Sequence, residues 1–261
     1  LELNRTIITR DSIERDLQSI GIKKGDTILI TADLLNIGFF VKNKKTTIGE
    51  WIDIFMNCVG AEGTIVVVAF TRSFPLYKIN KDIIFQREVT STSGDLSNGF
   101  IRHKSSFRST HPTNSIVAIG KNAFEITKNH TVDKLAFSFI GDIIKLKGKF
   151  LMLGTLDKKN APQAMHYVQE LIGYTKKYFK SFLTQCSYYY NQQGELSLYK
   201  RTDLGACSKG GYKIFGELIV NNAVKFGQVG NGMCAIMEAE KSFNVICDAL
   251  KRNDKLVQCD D

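Results

Sequence analysis

Short, uninterrupted apolar runs separated by amphipathic segments are the feature that most constrains the fold of this chain. The runs are rich in β-branched residues and do not alternate with polar residues, which is typical of strands covered by helices on both faces. Because helix signals fall between them, the pattern predicts an α/β fold with a layered sheet and helices on both faces. The four predicted strands are Thr27–Thr31, Thr64–Phe70, Ser115–Ile119 and Lys149–Leu153.

The predicted helices alternate with these strands. A helix capped by Asp11 or Ser12 and ended by Gly21 precedes the first strand, since a short polar cap and a glycine mark helix ends. The segment Thr47–Cys58 predicts a helix before the second strand. Two shorter predicted helices are Asn122–Thr127 and Asp142–Ile144.

The pattern changes after Pro162. Gln163–Gly173 is predicted to be a helix, and the aromatic segment Tyr178–Leu198 is predicted to be a hairpin that turns at Asn191–Gly194. Without a linker or an internal repeat, we expect one domain, 1–261, with a C-terminal α+β extension. Two further predicted helices are Gly211–Asn222 and Met237–Lys251.

The charge balance is basic: 35 lysines and arginines against 26 aspartates and glutamates give a formal charge of +9. A positive field attracts anionic partners. The excess lysines are dispersed, which favours solubility and general attraction of anions, with a phosphate-bearing ligand as the alternative. Nucleic acid is not expected as a partner, because no zinc-finger or RNP-type motif accompanies the charge.

Targeting and cysteine signals are sparse. No apolar stretch approaches the ~20 residues that a membrane span needs, and the first residues lack the apolar segment of a signal peptide. The six cysteines contain no C-x-x-C pair, so free thiols in a reducing compartment are expected and a metal is not. We therefore expect a cytoplasmic protein without a membrane partner, and a homodimer stays open.

Histidine is the informative residue type, because the chain has only four. His166 has Gln169 and Glu170 three and four residues later, on the same predicted helical face. A carboxylate one turn away can orient an imidazole and stabilise its protonated form. The alternative is a partly buried helix residue beside a solvated glutamate.

A long Gly- and Ser-rich segment, Ser91–Ser115, contains His111. Such segments commonly bring backbone amides to a ligand, although an ordinary surface loop remains the alternative. The chain has neither a Walker A motif nor a G-x-G-x-x-G after a strand.

The order of four motifs resembles the aminoglycoside 3-N-acetyltransferase family, whose members acetylate amino sugars from acetyl-CoA. The most specific of them is similar to the family's Gly–helix–Arg-Ser-x-His-Pro-x-x-Ser segment, and the last is similar to the helix that bears the family's catalytic histidine. The four motifs are LQSIGIKKGDTILITADLLNIG (Leu17–Gly38), GTIVVVAFT (Gly63–Thr71), SGDLSNGFIRHKSSFRSTHPTNSIVAIG (Ser93–Gly120) and KFLMLGTLDKKNAPQAMHYVQELIG (Lys149–Gly173).

This resemblance implies that His166 is the catalytic base and that Glu170, or another acid supplied by the fold, orients its ring. It also implies an acetyl-CoA site between the loop after the first strand and the segment Ser109–Ser115, with an oxyanion held by backbone N–H groups. His111 is alternatively a structural residue of its turn. The expected donor contacts are Ala32, Asp33, Leu34, Thr110, His111 and Ser115.

The chain departs from the family pattern at three places. Thr31-Ala32-Asp33-Leu34 stands where many members have His-Ser-Ser-Leu, and Ala161–His166 lacks the threonine of Asn-Thr-Ser-Leu-His. The acid that usually follows the histidine by three residues is Gln169 here.

The positive charge bears on the acceptor. It would repel a polycationic aminoglycoside and attract a diphosphate. We therefore expect N-acetylation of a nucleotide-linked amino sugar, as in bacterial surface polysaccharide synthesis. Aminoglycoside 3-N-acetylation is the alternative. A non-catalytic polyanion-binding module is the alternative from another class.

Overall fold

The computed structural model describes residues 8–40, 44–156, 160–174, 184–201 and 208–258. The helices are α1 (Arg10–Ile20), α2 (Leu34–Ile37), α3 (Lys44–Val59), α4 (Asp95–Arg102), α5 (Ala123–Lys128), α6 (Phe139–Lys145), α7 (Gln163–Leu171), α8 (Ile214–Val220) and α9 (Ala239–Arg252). The strands are β1 (Thr27–Ala32), β2 (Thr64–Val68), β3 (Phe74–Pro75), β4 (Ile84–Phe85), β5 (Phe107–Arg108), β6 (Ile116–Gly120), β7 (Lys149–Leu153), β8 (Gln185–Tyr190), β9 (Leu196–Lys200), β10 (Lys225–Val229) and β11 (Gly232–Glu238).

A seven-stranded sheet in the order β10-β11-β7-β1-β2-β6-β5 forms the centre of the fold. β7, β1 and β2 are parallel neighbours, and the other strands pair antiparallel. The carboxyl ends of the three parallel strands therefore meet at one edge of the sheet, where β6 and β11 begin. This carboxyl edge carries the candidate active site described below.

Helices cover both faces of this sheet, which confirms the predicted α/β class. Side chains of β1 alternate between the faces: Ile28 and Ile30 pack with α1, α3 and α4, whereas Leu29 packs on the opposite side. The opposite face is covered by apolar residues of α5 to α9. Burial on both sides explains why the strand sequences are apolar without alternation.

The cap of the first helix is Thr9, two residues before Asp11, the earlier of the two predicted caps. Thr9 caps α1, with its side chain accepting from the Ser12 N–H while the Ser12 hydroxyl accepts from the Thr9 N–H. Asp11 lies in the first turn, where its negative charge stabilises the helix by a favourable interaction with the helix dipole. Gly21 ends the helix as predicted, at φ +119°.

The C-terminal part corrects the sequence interpretation. The predicted helix Met237–Lys251 is the end of strand β11 followed by helix α9, because Met237 pairs with Phe150 of the central sheet. β10 and β11 thus extend the main sheet, so they do not belong to a separate extension. The helix predicted at Gly211–Asn222 is confined to α8, after a 3₁₀ turn at Ser208–Lys213.

A small second sheet, in which β8 pairs with β3, β4 and β9, forms the α+β part of the extension. β8 and β9 are the predicted hairpin, with the turn at Asn191–Gly194. The start of that prediction, 178–183, lies outside the described residues.

Two sequence-level expectations concern the whole chain. Among the described residues, Cys58, Cys186, Cys234 and Cys247 are free thiols; the other two cysteines lie outside the described ranges. None of the helices within these ranges has the length and hydropathy to cross a membrane.

Candidate active site

A cleft of about 400 Å³ opens at the carboxyl edge, between the central sheet and the small sheet. The residues after β2, the segment before β6, the loop before α6, helix α7 and the end of β9 all contribute to it. The lining residues are Phe70, Thr71, Arg72, Ser73, Thr92, Thr113, Asn114, Phe137, His166 and Arg201.

Helix α7 brings His166 into this cleft. Pro162 precedes the helix, and Ala164, Met165 and Val168 are buried against the core. Because this apolar stripe fixes the rotation of the helix, His166 points away from it and lines the cleft. His166 is partly exposed, as a residue that meets a substrate must be.

The ring of His166 is oriented by Gln169, one turn along the helix. His166 Nδ1 lies 3.1 Å from Gln169 Oε1. Because an amide oxygen only accepts, Nδ1 carries the proton and Nε2 carries the lone pair. Burial, with a smaller contribution from the Arg201 charge, lowers the pKa of His166 to about 4, although the hydrogen bond that Nδ1 donates to Gln169 acts in the opposite direction. The ring is therefore neutral at pH 7.

Glu170, expected to orient His166, is committed elsewhere. Its side chain is fully buried; Oε1 accepts from Arg201 at 3.0 Å, and Oε2 accepts from the Phe137 N–H at 2.9 Å. Residues 169 and 170 both lie within reach of residue 166 on a helix, so the bonds to Arg201 and to the Phe137 N–H are what hold the Glu170 carboxylate away from the ring. The structure therefore corrects this assignment: Gln169 holds the ring, and Glu170 anchors Arg201.

Arg201 and Phe137 complete the surroundings of the imidazole. The Phe137 ring lies 4.9 Å from the His166 ring, centroid to centroid. The Arg201 guanidinium lies 5.3 Å from the Phe137 centroid. Sequence reasoning missed both residues; a buried arginine at the end of a hairpin strand has no local signal that distinguishes it from a surface arginine.

His111 was expected to contact the donor, but its side chain is fully buried. Its Nδ1 accepts from the Asn114 N–H at 3.0 Å, so Nε2 carries the proton and donates to Tyr199 Oη at 3.0 Å. The ring stacks on His130 at 4.7 Å. His111 is therefore a structural residue that ties the segment before β6 to the small sheet.

His130, which stacks on His111, is also buried and neutral. Its Nε2 donates to the Ala136 carbonyl at 3.2 Å, and its Nδ1 lies 3.1 Å from Ser109 Oγ. Burial lowers the pKa of His111 to about 2 and that of His130 to about 3, and the neighbouring His130 contributes to the first of these. Two neutral rings can stack without repulsion, whereas two charged rings cannot.

Ser115 also has a structural role. Its hydroxyl donates to the Ala69 carbonyl at 2.6 Å and accepts from Arg108 Nε at 3.1 Å. The Arg108 guanidinium donates further to the carbonyls of Arg87, Val89 and Ala69. This network fixes the backbone that leads from β2 into the cleft, and it leaves Ser115 no exposed surface for a ligand.

Of the four other residues expected to contact the acetyl donor, one lines a cavity and three do not. Thr110 is exposed and does not line the cleft. Asp33 caps the short helix α2, with Oδ1 accepting from the Leu35 N–H at 3.1 Å, and Leu34 packs partly on the core. Ala32, at the end of β1, lines a second cavity.

This second cavity, which we call the slot, is a more enclosed space of about 200 Å³ at the same edge. It adjoins the cleft, since Thr92 lines the cleft and Ser93 lines the slot. Its lining residues are Ile30, Thr31, Ala32, Val67, Val68, Ser93, Leu96, Ser97, Met152, Thr155, Asn160, Ala161 and Gln163.

Across the described ranges, no three His, Cys, Asp or Glu side chains are grouped so that they could hold a metal ion. The cleft instead offers an imidazole, two guanidinium groups and several hydroxyls. These groups suit proton transfer and the binding of a polar organic molecule.

These features define a candidate enzyme site for group transfer. A neutral imidazole on helix α7 faces an open cleft, and an enclosed slot lies beside the cleft at the carboxyl edge of the sheet. The family model for aminoglycoside 3-N-acetyltransferase matches residues 29–251, and the chain belongs to this family.

Known proteins are similar to this chain at moderate identity. Aminoglycoside N(3)-acetyltransferase VIII of Streptomyces fradiae is 28% identical over 141 residues, a match that spans 48% of each chain. The chain thus spans about half the length of this curated relative.

Two solved structures share the fold. YokD from Bacillus subtilis superimposes with a TM-score of 0.81 at 20% identity, over 98% of this chain and 97% of that one. AAC-IIIb, in a binary complex with CoASH, superimposes with a TM-score of 0.76 at 17% identity, over 95% and 97%.

Proposed function

We propose that this chain is an acetyl-CoA-dependent N-acetyltransferase that acts on the amine of an amino sugar, with His166 as the general base. The observation that carries the proposal is the neutral His166 ring in the cleft, with Nδ1 held by Gln169 and Nε2 carrying the lone pair. Family membership supports the reaction class. Both cavities lie at the edge where α/β sheets commonly bind ligands.

The reaction needs a base because a bond between nitrogen and carbon forms while a proton is lost. The uncharged amine attacks the acetyl carbonyl carbon, the C–S bond breaks, and the products are the N-acetyl sugar and CoA thiol. His166 Nε2 takes the proton from the nitrogen and returns it to the departing sulfur. Atoms and charge then balance without another reactant.

The lowered pKa of His166 is compatible with this role. As the new C–N bond forms, the nitrogen becomes positively charged, and its proton becomes acidic enough for a weakly basic imidazole to accept. The ring is also unprotonated at neutral pH. A base that is already neutral does not have to lose a proton before each turnover.

For the acceptor, the comparisons favour an aminoglycoside, since the family and the Streptomyces fradiae relative are named for N(3)-acetylation of these compounds. We therefore propose an aminoglycoside amine as the first candidate. Hydroxyl and amide side chains in the cleft, from Ser73, Thr92, Thr113 and Asn114, suit the hydroxyl groups of a sugar.

The charge of the cleft favours a second candidate, a nucleotide-linked amino sugar. Arg72 and Arg201 line the cleft, and within the described residues no aspartate or glutamate does so. The Glu170 carboxylate nearby is bound to Arg201. A diphosphate would be attracted to exposed Arg72, whereas the lining residues that the structure describes offer a polycation no carboxylate to neutralise it.

The test is a thiol-release assay with acetyl-CoA and a matched set of acceptors. We expect turnover with kanamycin-type acceptors, or with dTDP- and GDP-amino sugars if the second candidate is correct. The ratio of kcat/KM between these two sets decides the acceptor. Arg72→Gln should lower kcat/KM for nucleotide-linked acceptors only, since Arg72 would bind their diphosphate.

Absence of turnover with every acceptor would contradict the enzyme proposal. It would favour the polyanion-binding module, whose affinity for a polyanion should fall steeply with salt concentration.

A further inference from the structure

A further cavity, which we call the lysine pocket, has a volume of about 260 Å³ and lies at the opposite edge of the central sheet from the cleft. The turn after α1, the loop between α8 and β10, the end of β11 and the first turn of α9 contribute to it. Lys149, which begins the five-residue strand β7, lines this pocket. Because five residues of a strand span roughly 16 Å, the lysine pocket is separate from the candidate active site.

The charge of the lysine pocket is positive. Within the described part of the chain, one glutamate, Glu238, and four lysines line it: Lys23, Lys149, Lys225 and Lys241. Since Asp26 forms an ion pair with Lys149, two positive charges remain in excess. The four lysines are far apart in the sequence, so the fold concentrates them. Like charges that line a concave surface attract ions of the opposite sign.

Lys149 provides a buried ammonium group at this pocket. Its side chain is only 9% exposed, and Nζ donates to the Gly21 carbonyl at 2.9 Å and to Asp26 Oδ2 at 2.7 Å. An ammonium group has three N–H donors. Glu238 Oε1, at 3.9 Å, is too distant for a hydrogen bond, so the third donor has no acceptor among the described residues. An unsatisfied donor on a buried charged group costs free energy, and an anion in the pocket would remove this cost.

Two further ammonium groups at the pocket are available to a ligand. Lys23 and Lys241 are exposed, and neither ammonium forms a hydrogen bond or an ion pair with a residue that the structure describes. Lys225 differs from them, because its Nζ donates to the Ser19 carbonyl at 3.0 Å. Lys23 follows α1 and Lys241 lies in the first turn of α9, so the two available groups come from different elements of the fold.

The charge and the walls of the lysine pocket limit the chemistry of the ligand. A phosphate monoester carries about −1.5 to −2 charges at pH 7, which matches the two positive charges in excess, whereas a carboxylate carries only one. Ammonium groups bind phosphate as point charges. The walls also include apolar side chains, among them Ile20, Val224 and Ile236, which suit the organic part of such a molecule.

We propose that the lysine pocket binds the phosphate monoester of a small organic molecule, with Lys23, Lys149 and Lys241 donating to the phosphate oxygens. This site is additional to the acetyl-transfer site, and binding there does not depend on acetyl transfer. It gives a location to the phosphate-bearing ligand that the basic charge of the chain allows.

The test is calorimetric titration of the full chain with three probes that share one ring: phenyl phosphate, benzoate and benzamide. Phenyl phosphate should bind to the wild type. Benzoate, which has one negative charge, should bind with a Kd about fivefold higher, and neutral benzamide should not bind detectably. Arg72→Gln should leave the Kd of phenyl phosphate unchanged, because Arg72 lines the cleft and not the lysine pocket.

Lys23→Gln and Lys241→Gln each remove one available ammonium group. Each variant should raise the Kd of phenyl phosphate about two- to fivefold, the loss of one ion pair at an exposed position. Without ligand, the Tm of each should stay at the wild-type value, because neither ammonium has a partner to lose. Lys104→Gln and Lys251→Gln are matched controls: they remove the same charge from exposed lysines outside the pocket and should leave the Kd unchanged.

Three results would overturn the inference. The first is that phenyl phosphate does not bind, or that benzoate binds as tightly. The second is an equal rise of Kd in the pocket variants and in the controls, which would indicate attraction by the overall charge of +9. The third is a rise of Kd in Arg72→Gln, which would place phenyl phosphate in the cleft.

Discussion

Replacing Gln169 with glutamate tests how the catalytic imidazole is tuned. In the wild type, a neutral amide oxygen lies 3.1 Å from His166 Nδ1. It orients the ring but does little to stabilise the positive charge that the ring gains on taking a proton. In Gln169→Glu, a carboxylate would occupy the same place, which is where the resemblance to the family leads one to expect an acid.

The magnitude follows from the distance. Two unit charges 3.1 Å apart attract by about 5 kcal/mol at an effective dielectric constant near 20. The fully buried position of Gln169 makes the carboxylate costly to desolvate, so only part of this energy remains. We expect the pKa of His166 to rise from about 4 towards its ordinary value of 6.5.

The assay is the pH dependence of kcat/KM for acetyl transfer. The acidic limb, near pH 4 in the wild type, should move to higher pH in Gln169→Glu. At pH 8, where both rings are neutral, the stronger base should raise kcat by about tenfold. NMR titration of the His166 ring gives the pKa independently of turnover.

Gln169→Met is the matched control, because it removes the acceptor without adding charge and should lower kcat. The reasoning would be refuted if the acidic limb of Gln169→Glu stayed near pH 4, or if its kcat fell to that of Gln169→Met.

Three further predictions concern stability. Because the pKa values of His111 and His130 are lowered in the folded state, the unfolded chain binds more protons below pH 6.5. In denaturant titrations, the free energy of unfolding should therefore fall by about 1.4 kcal/mol for each ring per unit decrease in pH. A free energy of unfolding that does not depend on pH would contradict the burial of the two rings. Arg108→Met should cost about 3 kcal/mol in urea unfolding, since several backbone carbonyls lose their donor; a cost below 1 kcal/mol would contradict this. Gly120→Ala should lower the free energy of unfolding by about 3 kcal/mol or more, because Gly120 has a φ of +122° and a Cβ there would lie 2.2 Å from a backbone oxygen. Gly194→Ala should lower it by about 1 kcal/mol, because Gly194 has a φ of +78° but a Cβ there would meet no such atom. Equal decreases in Tm for the two variants would contradict this difference.

The strands β1, β2, β6 and β7 of the central sheet were predictable because they are buried on both faces. Such strands must be apolar throughout, and β7 was predicted with the observed bounds. β10 and β11 were missed because they contain glycine, cysteine and exposed polar residues and are stabilised by pairing, β10 with β11 and β11 with β7. Their pairing is a tertiary contact, which local sequence periodicity does not report.

The site was predictable where the chemistry lies within one element. His166 and Gln169 are three residues apart on one helix, so the sequence places them together. The direction of Glu170 depends on Arg201, which comes from a distant hairpin. The burial of His111 likewise depends on Tyr199 and His130, and no spacing in the sequence links these residues.

The most direct test of the account is the rate of acetyl transfer by His166→Ala, measured with saturating acetyl-CoA and the best acceptor. Removal of the base should lower kcat by about 10²- to 10⁴-fold while the Kd of CoA stays at the wild-type value, and added imidazole should restore part of the rate. A kcat within about threefold of the wild type would contradict the account, since acetyl transfer would then need no proton acceptor at this position.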